Sequence, residues 1–122
     1  MRETILLVDD TDSLREMIRE TLAELGYHVL VAASGEEGLS IAEERKAPIH
    51  VLLTDVLMPG IGGPELASRL VTTHRETLVL FMSGSGPEAM SLPGVIASGG
   101  AVLEKPFSGA SLETALRKVL DR

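Results

Sequence analysis

The 122-residue chain has no cysteine and no tryptophan, and its only aromatic residues are Tyr27, Phe81 and Phe107. Without cysteine there is no disulfide framework, which suits a cytoplasmic protein. So few aromatics are a poor supply for stacking on bases. Lysine and arginine form no cluster and the formal charge is −7, so the basic surface of a nucleic-acid binder is missing. No stretch approaches the ~20 apolar residues of a membrane span. The opening "MRETILLVDD" is no secretory leader, because its apolar part is short and runs into acids. The expectation is a cytoplasmic location, no direct contact with nucleic acid and no membrane insertion.

What the chain does have is a core. Apolar residues make up 44%, and the length suits one ordinary domain. Short apolar runs alternate with segments of helical period. "TILLV" (4–8) reads as a buried strand. Leu14, Met17, Ile18, Thr21, Leu22 and Leu25 then follow helical spacing, and Gly26 is a natural stop. "YHVLVA" (27–32) is a second strand. Ser34 caps a helix from about 36 to 45, with Leu39, Ile41 and Ala42 inward. "IHVLLTD" (49–55) is a third strand. A loop with Pro59, Gly60, Gly62 and Gly63 follows, and Pro64 opens a helix that buries Leu66, Leu70 and Val71. "TLVLFMS" (77–83) and "AVLE" (101–104) are the fourth and fifth strands. Ser108 caps a last helix with Leu112, Leu116, Val119 and Leu120 as its inner stripe. Between strands four and five, residues 84–100 are rich in glycine and proline, so a fourth helix there is expected to be short or irregular.

Strands alternating with helices imply right-handed crossovers and a parallel sheet covered on both faces. The fold class is therefore α/β: a doubly wound five-stranded parallel sheet of order 2-1-3-4-5, a flavodoxin-like three-layer sandwich. In such sheets ligands sit beyond the carboxyl ends of the strands, where strand order reverses. Asp9 and Asp10 end the first strand and Asp55 ends the third. Those strands are neighbours in this order, so three carboxylates converge in one crevice. Adjacent negative charges repel, more so when desolvated, and such a cluster needs a cation. Oxygen ligands alone suit a hard ion such as Mg2+. Ser83 and Lys105 end the fourth and fifth strands and arrive at the same rim. That set is arranged to receive a phosphoryl group, with Asp55 as the attacking carboxylate.

Four pieces, "LLVDD", "LLTDVLMPGIGG", "FMSG" and "LEKPF", stand at successive strand ends. In that order and spacing they resemble the receiver domain of two-component response regulators over essentially the whole chain. The resemblance implies Asp55 as phospho-acceptor and Mg2+ held by Asp9, Asp10, Asp55 and the backbone carbonyl of Leu57. It implies Ser83 and Lys105 on the phosphoryl oxygens, and a cis Lys105–Pro106 bond. The phosphoryl donor is implied to be a sensor histidine kinase or a histidine phosphotransfer domain. Phosphorylation would switch a face built from the fourth helix, fifth strand and fifth helix, where an output partner or a second copy docks as a homodimer. The wording between "FMSG" and "EKPF" is similar to receivers of hybrid histidine kinases. Val102 stands where many receivers carry Tyr or Phe, and a valine cannot make their inward swing on activation. Leu57 and Ser85 stand at positions that set how fast the phosphoryl group is lost. The chain ends soon after its last helix, so the expectation is a receiver domain over residues 1–122 with no output domain, catalysing only its own phosphorylation and dephosphorylation.

Other readings compete. Asp9 and Asp10 are also good helix-capping acids. Asp55 and Ser83 alone would be turn residues, and Lys105 alone a solvated charge. Asp10-Thr11-Asp12 loosely echoes aspartate-nucleophile phosphatases of the haloacid dehalogenase type, although such enzymes usually have a longer chain with a further acidic motif late in it. A flavodoxin-like flavin binder shares the topology, but its first loop would here be acidic and repel a phosphate. A docking module that is never phosphorylated would not need the intact acid set. His28, His50 and His74 lack ligand spacing and read as surface or strand-end residues, and Met17, Met58, Met82 and Met90 as gap fillers.

Overall fold

β1 (Thr4–Val8) and β3 (Val51–Asp55) are buried along their whole length, as continuous apolar strands in the middle of a parallel sheet must be. The computed structural model describes residues 2–84 and 101–121. The irregular fourth helix expected at 84–100 falls, apart from Gly84, outside the described residues, as do Ser85 and Met90. The remaining strands are β2 (His28–Ala32), β4 (Leu78–Ser83) and β5 (Val102–Glu104). All pair in parallel, in the order β2-β1-β3-β4-β5. The helices are α1 (Asp12–Glu24), α2 (Gly35–Glu44), α3 (Gly63–Leu70) and, last among the described residues, α4 (Gly109–Leu120).

The two-residue period of the strands splits the core in two. Leu6, Val8, Leu52 and Phe81 point to one face and pack with Ala42, Leu66 and Leu70 from α2 and α3. Ile5, Leu7, Leu53, Leu80 and Met82 point to the other and meet Ile18 and Leu22 of α1 and Leu112 and Leu116 of α4. Each fully buried Leu or Ile contributes about 1.5–3 kcal/mol of transfer free energy, so both layers are needed to hold the sheet.

Local chemistry sets the element ends. Ser34 accepts the Glu37 N–H (3.1 Å) and Ser108 that of Ser111 (3.1 Å), so both expected caps form. The Glu37 carboxylate reaches back to the Ala33 N–H, close to a reciprocal capping arrangement. Gly26 stops α1 with φ at +99°, a left-handed conformation natural to glycine. Some expectations fail in detail. α3 starts at Gly63, so Pro64 takes its second position. Val71 lies at the C-cap and is only partly buried. Met17 is 56% exposed instead of filling the core, because it lies off the α1 stripe carried by Ile18 and Leu22. His50 and His74 are more than surface residues: His50 Nδ1 accepts the Thr4 N–H (2.8 Å), and a His74 ring nitrogen lies 2.7 Å from the Ala42 carbonyl oxygen.

Candidate functional site

Strand register places the chemistry. Val8 lies opposite Ala32 and Thr54, Asp55 opposite Met82, and Ser83 opposite Glu104. The residues at or just past the carboxyl ends, Asp9, Asp55, Ser83 and Lys105, therefore share one rim. The Lys105 N–H donates to the Ser83 carbonyl (2.8 Å) and the Val56 N–H to that of Met82 (3.0 Å), which ties the tips of β3, β4 and β5 together. The Lys105–Pro106 bond is cis, as the resemblance implied.

Asp9, Asp10 and Asp55 each offer an oxygen, all within 4.8 Å of one another. Asp9 is fully buried and Asp55 nearly so, whereas Asp10 is exposed. Lys105 Nζ reaches Asp55 Oδ1 at 2.5 Å and Asp9 Oδ2 at 3.3 Å. The other Asp9 oxygen accepts the Thr11 N–H (2.8 Å) ahead of α1; this is a local turn onto the N-cap residue Thr11, so neither Asp9 nor Asp10 caps the helix. A crevice of about 160 Å3 opens beside these groups, lined by Asp10, Thr11, Asp55, Leu57, Met82, Ser83, Gly84 and Lys105. That is below the roughly 300–1,000 Å3 of small-molecule pockets. It suits a phosphoryl group and a hydrated ion better than a flavin.

The electrostatics follow. Burial pushes the Asp55 carboxyl up to about 7, helped by its bond to Asp9 and the Asp9 charge, while Lys105 pulls the other way. Burial lowers Lys105, but its hydrogen bond to Asp55 and the fields of Asp55 and Asp9 more than offset this, so its pKa ends above the ordinary value. One ammonium thus leaves three clustered carboxylates short of positive charge. The all-oxygen donor set and this deficit fit a hard divalent cation.

Leu57 lines the crevice with its side chain 68% exposed, and Ser83 is buried at its floor. Two participants escape a reading of motifs. Arg15 donates to the Asp9 carbonyl, and Gly63 lies against the backbone of Asp55. An arginine three residues after Asp12 was the available signal for the first. The second is a tertiary contact that no local pattern announces.

A parallel doubly wound sheet with an acid cluster and a lysine at the tips of its strands defines the class: a doubly wound α/β domain with a charged crevice at its switch point. Residues 5–117 match the family model of the response regulator receiver domain, and the chain belongs to that family. It is 37% identical over 121 residues to the sensor kinase CckA of Brucella abortus, covering 98% of this chain and 13% of that protein. It is 34% identical to the transcriptional regulatory protein CpxR of Escherichia coli, covering 97% of this chain and 49% of that one. The chain thus spans about half, or much less, of these curated relatives. The chemotaxis response regulator CheY4 of Vibrio cholerae superposes with a TM-score of 0.84 at 35% identity, covering 98% and 100% of the two chains. The response regulator TrrA of Thermotoga maritima, solved in complex with Mg(2+)-BeF, superposes at 0.84 with 27% identity, covering 97% and 99%. The protein is therefore a receiver domain of two-component signalling, and among its described residues no helix is long and apolar enough to cross a membrane.

Proposed function

We propose that this receiver takes a phosphoryl group from a phosphohistidine onto Asp55 in a Mg2+-dependent reaction and switches the binding of a partner. The observation that carries the reading is the Lys105 ammonium 2.5 Å from Asp55 Oδ1, beside two further carboxylates within 4.8 Å. Asp9, Asp10, Asp55 and the Leu57 carbonyl would hold the ion, which when bound offsets the charge of the phosphoryl oxygens. An Asp55 carboxylate oxygen attacks phosphorus. The Asp55 O–P bond forms as the donor's P–N bond breaks, and the departing imidazole keeps the electron pair. Lys105 moves from carboxylate to phosphoryl oxygen as the negative charge shifts outward, and the Ser83 hydroxyl donates to another. The domain acts once per phosphoryl group and turns over no separate substrate. The donor is a sensor histidine kinase or a histidine phosphotransfer domain, and the similarity to CckA favours a place in a kinase-linked relay. Residues 1–122 form the receiver unit, a cytoplasmic module that meets nucleic acid only indirectly.

Mass spectrometry after incubation with acetyl phosphate tests this. One phosphate should appear with Mg2+ and none with a chelator; equal uptake in both would defeat the metal-dependent reading. The exposed apolar side chain of Leu57 offers no hydrogen bond to orient an attacking water. Leu57→Asn should therefore shorten the phosphoryl half-life severalfold, and an unchanged half-life by phosphate-release assay would count against that role.

A further inference from the structure

We propose that Arg15 is a positioning residue for the acidic turn: its guanidinium fixes the Asp9–Asp10 peptide and thereby aims the Asp10 carboxylate at the cation site. Asp10 is exposed, and its carboxylate makes no hydrogen bond among the described residues. Its direction is therefore set by the backbone on either side. Asp9 is held from three further sides, by its N–H on the Ala32 carbonyl (3.2 Å), by the Thr11 N–H on Oδ1 (2.8 Å) and by Lys105 on Oδ2 (3.3 Å). Its carbonyl belongs to the rigid peptide unit that leads into Asp10, and Arg15 Nη1 donates to that oxygen at 2.8 Å. The second arm of the fork, Nη2, bonds Asp12 Oδ1 at 2.7 Å, which orients the guanidinium plane. The Arg15 side chain is only 18% exposed, so the contact is sheltered from water. The planar fork suits this double task better than a single ammonium would.

The inference rests on the Mg2+-binding reading above. It makes a prediction opposite in sign to that of a bystander charge. Removing a cation next to three carboxylates would by charge alone tighten Mg2+ binding. Removing a group that positions a ligand weakens it, with supporting partners of metal ligands typically worth about 10–100-fold in affinity.

The test is a Mg2+ titration of wild type, Arg15→Ala and Arg15→Lys followed by amide NMR shifts, with a circular-dichroism melt of each in chelator. Arg15→Ala should melt cooperatively and bind Mg2+ about tenfold more weakly. Arg15→Lys, which keeps a cationic donor but not the fork, should recover part of the loss. Unchanged or tighter binding by Arg15→Ala overturns the inference alone. Wild type that binds no Mg2+ overturns it together with the reading it rests on. If Arg15→Ala does not fold, Arg15→Gln takes its place. It removes the charge but keeps an amide donor, and it should bind severalfold more weakly; equal or tighter binding overturns the inference.

Discussion

Asp55→Asn is expected to abolish phosphate uptake from acetyl phosphate and, in chelator, to raise the melting temperature. The two effects share one cause. Asp55 is nearly buried, and burial together with Asp9 pushes its carboxyl from an ordinary 3.8 up to about 7, against the pull of Lys105. Its folded pKa lies above its unfolded one, so the native state holds the proton more tightly. Stability relative to the neutral amide variant therefore falls as pH rises from about 3.8 and becomes constant above about 7. The melting-temperature gap between variant and wild type should be wider at pH 8 than at pH 5, and Mg2+ should narrow it at pH 8 by stabilising the ionised cluster. A gap independent of pH would show that Asp55 titrates normally in the fold. Phosphate still present on the variant would move the acceptor to another residue.

The same residue shows why the site was legible in the sequence. A carboxylate at the end of an apolar run has its place fixed by the run itself, since β3 must be central to bury "VLLTD" on both faces. Asp9 and Asp10 follow "ILLV" for the same reason, and the strand order then brings the two tips together. The caps at Ser34 and Ser108 were equally readable, because capping depends on residues three apart in sequence. The limits lie where tertiary bonds decide. β3 begins at Val51 and not at Ile49, and the Ile49 carbonyl instead accepts the Thr77 hydroxyl at 2.6 Å. Met17 keeps the helical spacing, yet the sheet covers only the Ile18–Leu22 side of α1. Arg15 belongs to none of the motifs, and its bond to the Asp9 carbonyl exists only in the folded chain.

Gly63→Ala is expected to be the most damaging single-methyl change near the site. The first residue of α3 sits on the end of β3, where the Gly63 N–H donates to the Val56 carbonyl at 2.9 Å. A Cβ there would overlap the Asp55 carbonyl oxygen and stand 3.0 Å from the Asp55 carbonyl carbon and 3.2 Å from Val56 Cα. These are backbone atoms of a central strand, so no side chain can turn aside. Either α3 lifts off, losing the seat of Leu66 and Leu70 in the core, or the tip of β3 moves and carries Asp55 away from Lys105. Overpacking of this kind typically costs about 1–3 kcal/mol, which for a domain of this size lowers the melting temperature by roughly 4–12 °C. Gly109→Ala is the matched control: it opens α4, and its nearest neighbour would be a Thr21 methyl at an ordinary 3.4 Å. Alanine is the better helix former there, so that variant should melt at or above wild type. Phosphate uptake by Gly63→Ala, measured where the variant is still folded, should be slowed, because the displaced strand tip bears the acceptor. Uptake at the wild-type rate together with a wild-type melting temperature would mean that the helix start and the strand end are not in the tight contact on which the geometry of Asp55 depends.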